Sequence, residues 1–407
     1  MAELPHNTDF FQLLNTYDVD DLQDILSNIG ININKCQDGR VHFEVNLFDT
    51  SQKYHPLRYT ARGMVIDSIE KKFLSIPPYP AKYIDNVKLA DVKSVFDAGN
   101  YNVIEAYDGT NVTLYQFNGE TYASSAKSPD ISNYFWQGNK TFSEMIFEVA
   151  TKTNPDFIKD TNLKLSNEGN LSWSIPENYC VTLGFRHHNI HPDKSDPEAI
   201  WLVRSVNRDT FLDVELPQLS NLKRNKVVSE VGTFDELLST ADRDITINHK
   251  EKLYGYILKP KGLVGEQVFV PSSLYKLYQH FFYSVERNKN DEIKHHNRYI
   301  YSIFRNLLSN NTNYLKVLCK LIPEYYEEIE KINIFIDTMV SRLLTHIHDN
   351  SIFVDTIYRE LLDKVIQEVK ENEPDLNVKS LEASKLLCDY IRSIENSYVL
   401  TEIYLKE

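Results

Sequence analysis

The sequence predicts an α+β protein in which a mostly antiparallel β part is followed by an all-helical part. From about residue 60 to 275, short apolar runs alternate with Gly, Asn and Asp turns, which is typical of antiparallel strands. After Gly265, the last glycine, apolar residues recur every three or four positions, which indicates helices. The chain has 407 residues, which is too long for one typical core, so we expect more than one domain.

The elements can be predicted in order along the chain. Leu and Ile at helical spacing in 18–29 predict a helix, and VHFEVNLF at 41–48 alternates like a strand. Further strand candidates are GMVID (63–67), YNVIEAYDG (101–109), NVTLYQF (111–117), YCVTLGF (179–185), AIWLVRSV (199–206) and LYGYILKP (253–260). Asp108-Gly109, between two of these runs, predicts a tight hairpin.

Helical spacing then recurs in five segments, namely 273–288, 296–309, 312–347, 351–371 and 378–404. We therefore expect a helical C-terminal domain at 273–407 and a β-rich domain at 55–272, with 1–54 as an N-terminal helix and strand extension of the latter.

Composition and charge limit the class of protein. The net charge of -14 excludes a uniformly basic nucleic-acid coat, but it leaves room for a local basic groove. The four cysteines are widely separated and form no CxxC pair, which favours reduced thiols in an intracellular compartment. Neither a signal peptide nor an 18-residue apolar run is visible, so we predict a cytoplasmic protein without membrane spans.

A set of segments occurs in a defined order. They are ARGMVID (61–67), KKFLSIPPYPAKYIDN (71–86), EAYDGTNVTLY (105–115), ETYASSAKSPD (120–130), VTLGFRHHNIHP (181–192), IWLVRSVN (200–207), KLYGYILKPKG (252–262) and QVFVPSSLY (267–275). Their order and spacing resemble the bacteriophage tRNA-repair RNA ligase family of the covalent nucleotidyltransferase superfamily. The resemblance covers about 55–285 and implies an RNA-ligase-like nucleotidyltransferase domain. That family also carries a helical C-terminal domain associated with tRNA recognition, which corresponds in position to 273–407.

The sequence departs from the family where the catalytic groups are expected. The family's Lys-x-Asp-Gly lysine attacks the α-phosphate of ATP, and here Ala106 stands in its place. Acidic residues are replaced at Gly184 and Tyr254, and lysines at Phe269 and Pro271. Without the acidic groups, the metal would not be positioned. Without the lysines, nothing would offset the negative charge of the triphosphate. We therefore predict a catalytically inactive protein that uses no cofactor and binds no metal.

Other residues match positions that could still contact nucleotide or RNA. They are Arg62, Asp108, Gly109, Lys127, Asn189, Lys259, Lys261, Arg298 and Arg305. Each has a plain structural alternative: Asp108-Gly109 as a simple turn, Arg62 in a surface salt bridge, and the basic residues, including the cluster 223–226, on a solvated surface. The run from Arg186 to His191 has three possible interpretations, namely a metal site, an RNA contact or a solvated loop.

Three classes of function remain open from the sequence. The first is a binding protein for tRNA or other structured RNA, which by analogy with yeast killer-plasmid immunity factors would protect against an anticodon-nuclease toxin. The second is an RNA ligase or tRNA-repair enzyme that uses ATP and Mg with a displaced lysine such as Lys127, or that seals ends adenylylated by another enzyme. The third is a protein-interaction scaffold.

Overall fold

The computed structural model divides the chain into two compact units, residues 1–274 and 275–407. The residues it describes are 10–47, 55–84, 87–97, 99–135, 140–190, 197–228, 231–243, 254–261, 267–278, 298–309, 315–316, 319, 324–348, 356–374, 376, 381–392 and 397–404. The first unit is built mainly of antiparallel sheets, and the described part of the second is helical. The predicted α+β fold class is therefore confirmed.

The first unit opens with a helical pair and an N-terminal sheet. The helices are α1 (Phe10–Thr16), α2 (Val19–Ser27) and, later in the chain, α3 (Leu57–Ala61). The sheet has the strand order β1 (Ile31–Lys35), β2 (Arg40–Val45), β3 (Val65–Asp67) and β4 (Phe73–Ser75), all antiparallel. Alternation along β2 places Val41, Phe43 and Val45 in a core with Phe10 and Leu26.

His42 lies on β2 and is fully buried, with its Nε2 3.2 Å from the carbonyl oxygen of Ser125. Burial lowers the pKa of His42 to about 4, although the Ser125 carbonyl opposes the shift. As the pH falls, His42 of the unfolded chain binds a proton near the ordinary pKa of 6.5, whereas His42 of the folded state does so only near a pKa of about 4. The stability that His42 contributes is therefore complete above that pKa and is lost as the pH falls towards about 4.

We expect this group alone to reduce the free energy of unfolding by about 2 kcal/mol between about pH 7 and about pH 5. Urea unfolding of wild type and His42→Gln at both pH values measures the effect, since glutamine cannot titrate there. The wild type should lose more stability on acidification than the variant. Equal losses in the two proteins would show that His42 does not carry this pH dependence.

Two further sheets form the centre of the first unit. Sheet I has the order β13 (Lys223–Arg224), β12 (Ala199–Asn207), β11 (Tyr179–Arg186), β7 (Thr110–Phe117) and β8 (Glu120–Ser124). Sheet II has the order β14 (Val227–Val228), β6 (Tyr101–Ala106), β15 (Gly255–Pro260), β16 (Val268–Pro271) and β5 (Lys82–Tyr83). All pairs are antiparallel except β12 with β13 and β16 with β5. A small pair, β9 (Lys164–Leu165) and β10 (Leu171–Ser172), lies outside these sheets.

Helices cover one face of each sheet. The apolar face of sheet I packs on α5 (Phe142–Thr153) and α6 (Pro155–Thr161). A capping box between Thr141 and Glu144 fixes the start of α5. Sheet II packs on α4 (Leu89–Asp97) and α7 (Phe234–Arg243). On the opposite face of sheet I, Tyr115, Phe117, Cys180 and Val206 pack into the core of the N-terminal sheet, and the buried hydroxyls of Thr113 and Thr182 lie 2.8 Å apart.

The predicted hairpin at Asp108-Gly109 is wrong. The strand before it, β6, belongs to sheet II, and the strand after it, β7, belongs to sheet I. Ala106 pairs with Gly255, and Asn111 pairs with Gly184, so the two strands that flank the Asp-Gly pair have different partners. Residues 107–109 therefore cross from one sheet to the other.

The short helix α8 (Ser273–Tyr278) spans the point at which the chain divides into the two units. The helices described in the second unit are α9 (Arg298–Leu308), α10 (Glu324–His348), α11 (Thr356–Asn372), α12 (Leu381–Ile391) and α13 (Ser397–Tyr404). Their core includes Phe304, Leu343, Val365, Leu387 and Leu400, each almost completely buried. Within the described residues, no helix combines the length and apolarity that crossing a membrane requires.

Candidate functional site at the junction of two sheets

Two chain segments cross side by side between sheets I and II. The first is 107–109, and the second, residues 225–226, links β13 to β14. The Nδ2 of Asn225 donates to the carbonyl oxygen of Glu105 at 3.0 Å, and the Glu105 amide donates to the carbonyl oxygen of Lys226 at 2.9 Å. We call residues 105–110 and 223–228 the sheet junction. It contains the Asp-Gly pair and the basic cluster that the sequence singled out.

Arg186, at the end of β11, holds the first crossing in place. Its Nε and Nη2 donate to the carbonyl oxygen of Asp108 at 3.2 and 3.0 Å, and its Nη1 donates to the carbonyl oxygen of Pro197 at 3.2 Å. The side chain is only 3% exposed. A planar guanidinium can serve several carbonyl groups at once in a fixed geometry, so this residue fixes the position of the Asp108-Gly109 main chain.

Trp201 fills the space beside two glycines at the junction. Its indole lies so close to Gly184 that a Cβ built there would be 2.2 Å from Cε2. A Cβ built at Gly109 would be 2.4 Å from Cη2 of the same ring and 2.7 Å from the carbonyl oxygen of Phe185. Both glycines are therefore required by close packing. Gly184, which the sequence analysis treated as a missing acidic residue, leaves room for the indole.

Tyr107 connects Trp201 to a lysine. The rings of Tyr107 and Trp201 meet edge to face with centroids 6.0 Å apart, and the Tyr107 hydroxyl donates to Glu105 at 2.5 Å. The Nζ of Lys223 lies 4.4 Å from the Tyr107 ring centroid, a cation–π arrangement. Burial lowers the pKa of Lys223, with Arg186 acting in the same direction and Glu105 opposing it.

The other positions where catalytic groups were expected lie on sheet II. Ala106 is buried and pairs with Gly255, which in turn pairs with Pro271. Tyr254 is 2% exposed, and its amide donates to the carbonyl oxygen of Ala106 at 3.0 Å. The ring of Phe269 meets Tyr83 edge to face at 5.3 Å. The structure thus brings Ala106, Tyr254 and Pro271 together on neighbouring strands.

Arg62 and Lys127 belong to segments that contact each other near the N-terminal sheet. Gly63 sits against the turn after β8: a Cβ built on it would be 3.1 Å from Cα of Ala126. Lys127 follows Ala126 and is exposed. Among the described residues, the buried Nε of Arg62 has no hydrogen-bond partner, and burial lowers the pKa of its guanidinium. An underpartnered buried cation of this kind suits an anionic ligand.

The remaining basic candidates of the first unit have different surroundings. Lys259, on β15, pairs with Asp213 at 3.0 Å, and Asp213 also binds Arg204 of β12. Burial alone would raise the pKa of Asp213, but the two cations outweigh it and hold the pKa below its usual range. Lys261 is exposed, and its amide donates to the carbonyl oxygen of Asn100 at 2.8 Å.

The loop after β11 carries Asn189, whose amide donates to Nδ1 of His187 at 3.0 Å. His187 is buried, with Nε2 3.6 Å from Glu148 and 3.8 Å from Glu198. Burial lowers its pKa even though both carboxylates oppose this. No cluster of three or more His, Cys, Asp or Glu side chains with metal-binding geometry occurs in the part of the chain that the structure describes, and His191 lies outside it.

The two arginines of the second unit both lie on α9. Arg298 is its first residue, and Arg305 is half-buried in its last turn. From the sequence, Arg186 was considered only as part of a run with metal ligation, RNA contact or a solvated loop as alternatives, and the site roles of Trp201 and Tyr107 were not identified. No pattern in the sequence marks them, because their roles depend on which strands pair across the sheet.

Comparisons with known proteins identify relatives with RNA ligase names. No protein-family profile matches the chain. A protein named "Putative RNA-ligase" from African swine fever virus, isolate Tick/South Africa/Pretoriuskop Pr4/1996, is 24% identical over 327 residues, covering 74% of this chain and 71% of the viral protein. The protein of the same name from strain Badajoz 1971 Vero-adapted matches with the same identity and coverage.

Solved structures with RNA ligase names align only loosely. An archaeal ATP-dependent RNA ligase is 13% identical with a TM-score of 0.42, covering 81% of this chain and 82% of that one. A mutant of Naegleria gruberi RNA ligase with ATP and Mn is 13% identical with a TM-score of 0.31, and the match covers 50% of this chain and 58% of that one.

These relatives correct two predictions made from the sequence. The prediction of a catalytically inactive protein is contradicted, because the viral relatives that match across most of the chain are named RNA ligases. The prediction that no cofactor is used is overturned with it, because that prediction was drawn from the same supposed inactivity. The replacement of the expected residues at five motif positions does not establish the loss of the reaction.

Proposed function

We propose that this chain is an RNA ligase that uses a nucleoside triphosphate through an atypical active site at the sheet junction. The observation that carries the proposal is the 24% identity to the viral "Putative RNA-ligase" over 327 residues, which spans most of both chains. The position of Asp108-Gly109 supports it, because the pair crosses between two sheets and is not a hairpin turn. Arg186 and Trp201 give that crossing a fixed geometry.

The residues present fit a phosphate-rich nucleotide better than a protein-held metal. Lys223 supplies a cation at the junction, and Arg62, in a separate segment near the N-terminal sheet, offers a buried Nε without a hydrogen-bond partner in the described structure. Mg²⁺ in such enzymes is held by one or two carboxylates together with substrate phosphates. Glu105 already accepts the Tyr107 hydroxyl, so Asp108 is the carboxylate of the junction that we assign to a divalent cation accompanying the nucleotide. Bound there, the cation would neutralise phosphate charge.

For the RNA, we propose nicked tRNA or another structured RNA as substrate, in the cytoplasm. The support is the ordered motif set and the helical second unit, in which Arg298 and Arg305 are the candidate phosphate contacts. Basic side chains that bind phosphates position an RNA but do not distinguish its base sequence. The shape of the RNA would therefore determine which substrate binds. Protection against a nuclease toxin is compatible with repair of cleaved tRNA, but no structural feature favours it.

Incubation of the purified protein with ATP labelled on its α-phosphate and a divalent cation tests the proposal. We expect a labelled protein that survives denaturation, because covalent catalysis divides joining into two easier steps. A second reaction supplies pre-adenylylated RNA without ATP, which tests a ligase that seals ends activated elsewhere. Absence of both labelled protein and joined RNA would contradict the proposed function.

A further inference from the structure

The proposed reaction requires an amine near the α-phosphate, and the first crossing does not provide one. Ala106 carries only a methyl group, buried at 7% exposure between neighbouring strands. The nucleophile must therefore come from another segment that reaches the same place. The second segment of the sheet junction, 223–228, runs beside Glu105 and is held to it by two hydrogen bonds.

We infer that Lys223 supplies the nucleophilic amine of the proposed nucleotidyl transfer. This inference rests on the proposed function and names the residue that carries it. The Nζ of Lys223 lies 4.4 Å from the ring centroid of Tyr107, the residue that directly follows Ala106. Lys223 belongs to β13, the edge strand of sheet I, and its amine lies beside the first residue that follows β6 of sheet II.

The surroundings of Lys223 suit a nucleophile. A lysine attacks only as the neutral amine, so an environment that disfavours the ammonium form increases reactivity. The face of the Tyr107 ring attracts a cation, but burial and the like charge of Arg186 disfavour the ammonium form. Glu105 partly offsets this effect and offers a carboxylate for the departing proton. Lys223 nevertheless remains accessible to solvent, as a residue that meets a substrate must be.

The other described lysines that the sequence singled out are placed less favourably. Lys127, the displaced lysine considered from the sequence, follows β8, at the edge of sheet I opposite to β13. Lys259 is engaged by Asp213 at 3.0 Å, which favours its charged form. Lys261 lies beyond the end of β15. Lys223, by contrast, contacts the ring of Tyr107 in the Asp-Gly crossing.

The step balances with ATP as the only co-reactant. The neutral Nζ of Lys223 attacks the α-phosphorus, forming a P–N bond, while the bond from that phosphorus to the β-phosphate oxygen breaks and pyrophosphate leaves. The nitrogen loses one proton to Glu105 or water. The 5′-phosphate of the RNA then displaces the lysine, giving an RNA 5′-adenylate, and the neighbouring 3′-hydroxyl displaces AMP to complete the join.

The test compares wild type with Lys223→Arg, Lys223→Ala and the matched control Lys164→Arg, an exposed lysine on β9 outside the sheet junction. After reaction with labelled ATP, mass spectrometry of peptides locates the adduct, and equilibrium dialysis measures ATP binding separately. We expect the adduct on Lys223 of the wild type. Lys223→Arg should bind ATP within a few-fold of wild type but form no adduct, because a guanidinium keeps the charge and is not nucleophilic.

The outcomes separate this inference from the function on which it rests. An adduct that maps to another lysine, or that persists in Lys223→Arg, contradicts the assignment of Lys223 and leaves the ligase proposal intact. Loss of the adduct in Lys164→Arg as well, with ATP binding unchanged, shows a general effect of replacing lysines and also contradicts it. A wild type that forms no adduct and joins no RNA contradicts both.

Discussion

Gly184→Glu is expected to destabilise the protein by about 3 kcal/mol or more, although it restores the residue type that the family carries there. A Cβ at this position would lie 2.2 Å from Cε2 and 2.4 Å from Nε1 of Trp201. The indole is only 4% exposed, so it has little space into which it could move. A carboxylate forced into this site would also lose its hydration without a partner.

Urea unfolding of three variants separates these contributions. Gly184→Ala isolates the steric clash, and Gly232→Ala is the control, because its nearest neighbour is the flexible end of Glu236 at 3.3 Å. Trp201→Ala combined with Gly184→Ala should cost less than the sum of the single changes, since the two residues share one space. Wild-type stability of Gly184→Glu would show that the indole is not held against this glycine.

Arg186→Ala is expected to lower the free energy of unfolding by on the order of 3 kcal/mol. The change removes three donors at once and leaves the carbonyl oxygens of Asp108 and Pro197 without them. Arg186→Lys should recover only part of the loss, because a single ammonium cannot reach both carbonyl groups in the guanidinium geometry.

Arg224→Ala provides the comparison for a surface arginine. Arg224 is exposed and pairs with Glu215 at 2.7 Å, so its removal should cost no more than about 1 kcal/mol. Unfolding of the three arginine variants under the same conditions ranks them. If Arg186→Ala were as mild as Arg224→Ala, the main chain of Asp108 would not depend on the guanidinium, and the account of the first crossing would fail.

The fold class could be predicted because its signals are local. Alternation in β2 and three- and four-residue spacing in α10 arise from the geometry of each element alone. The Asp108-Gly109 pair shows the limit of this reasoning. Its local signal is the same for a hairpin and for a crossing between sheets, and only long-range pairing, such as that of Ala106 with Gly255, distinguishes them.

The candidate site could be located from the sequence, but its chemistry could not. The motif order identified Ala106 and Gly184 as unusual positions, and the structure places both beside the sheet junction. The residues that occupy the space of the expected catalytic groups depend on strand register. The register pairs Trp201 with Gly184 on one side and with Lys223 on the other. A search along the sequence near Ala106 could not find Lys223, which is more than a hundred residues away.

Joining of a nicked RNA hairpin by the purified full-length chain tests the central claim most directly. One strand end carries a 5′-phosphate and the other a 3′-hydroxyl, and the reaction contains ATP and Mg²⁺ or Mn²⁺. We predict a joined product that requires both ATP and the 5′-phosphate and that disappears in Lys223→Arg. A folded protein that binds this RNA but produces no joined product, with ATP or with pre-adenylylated ends, would contradict the assignment of RNA ligase activity.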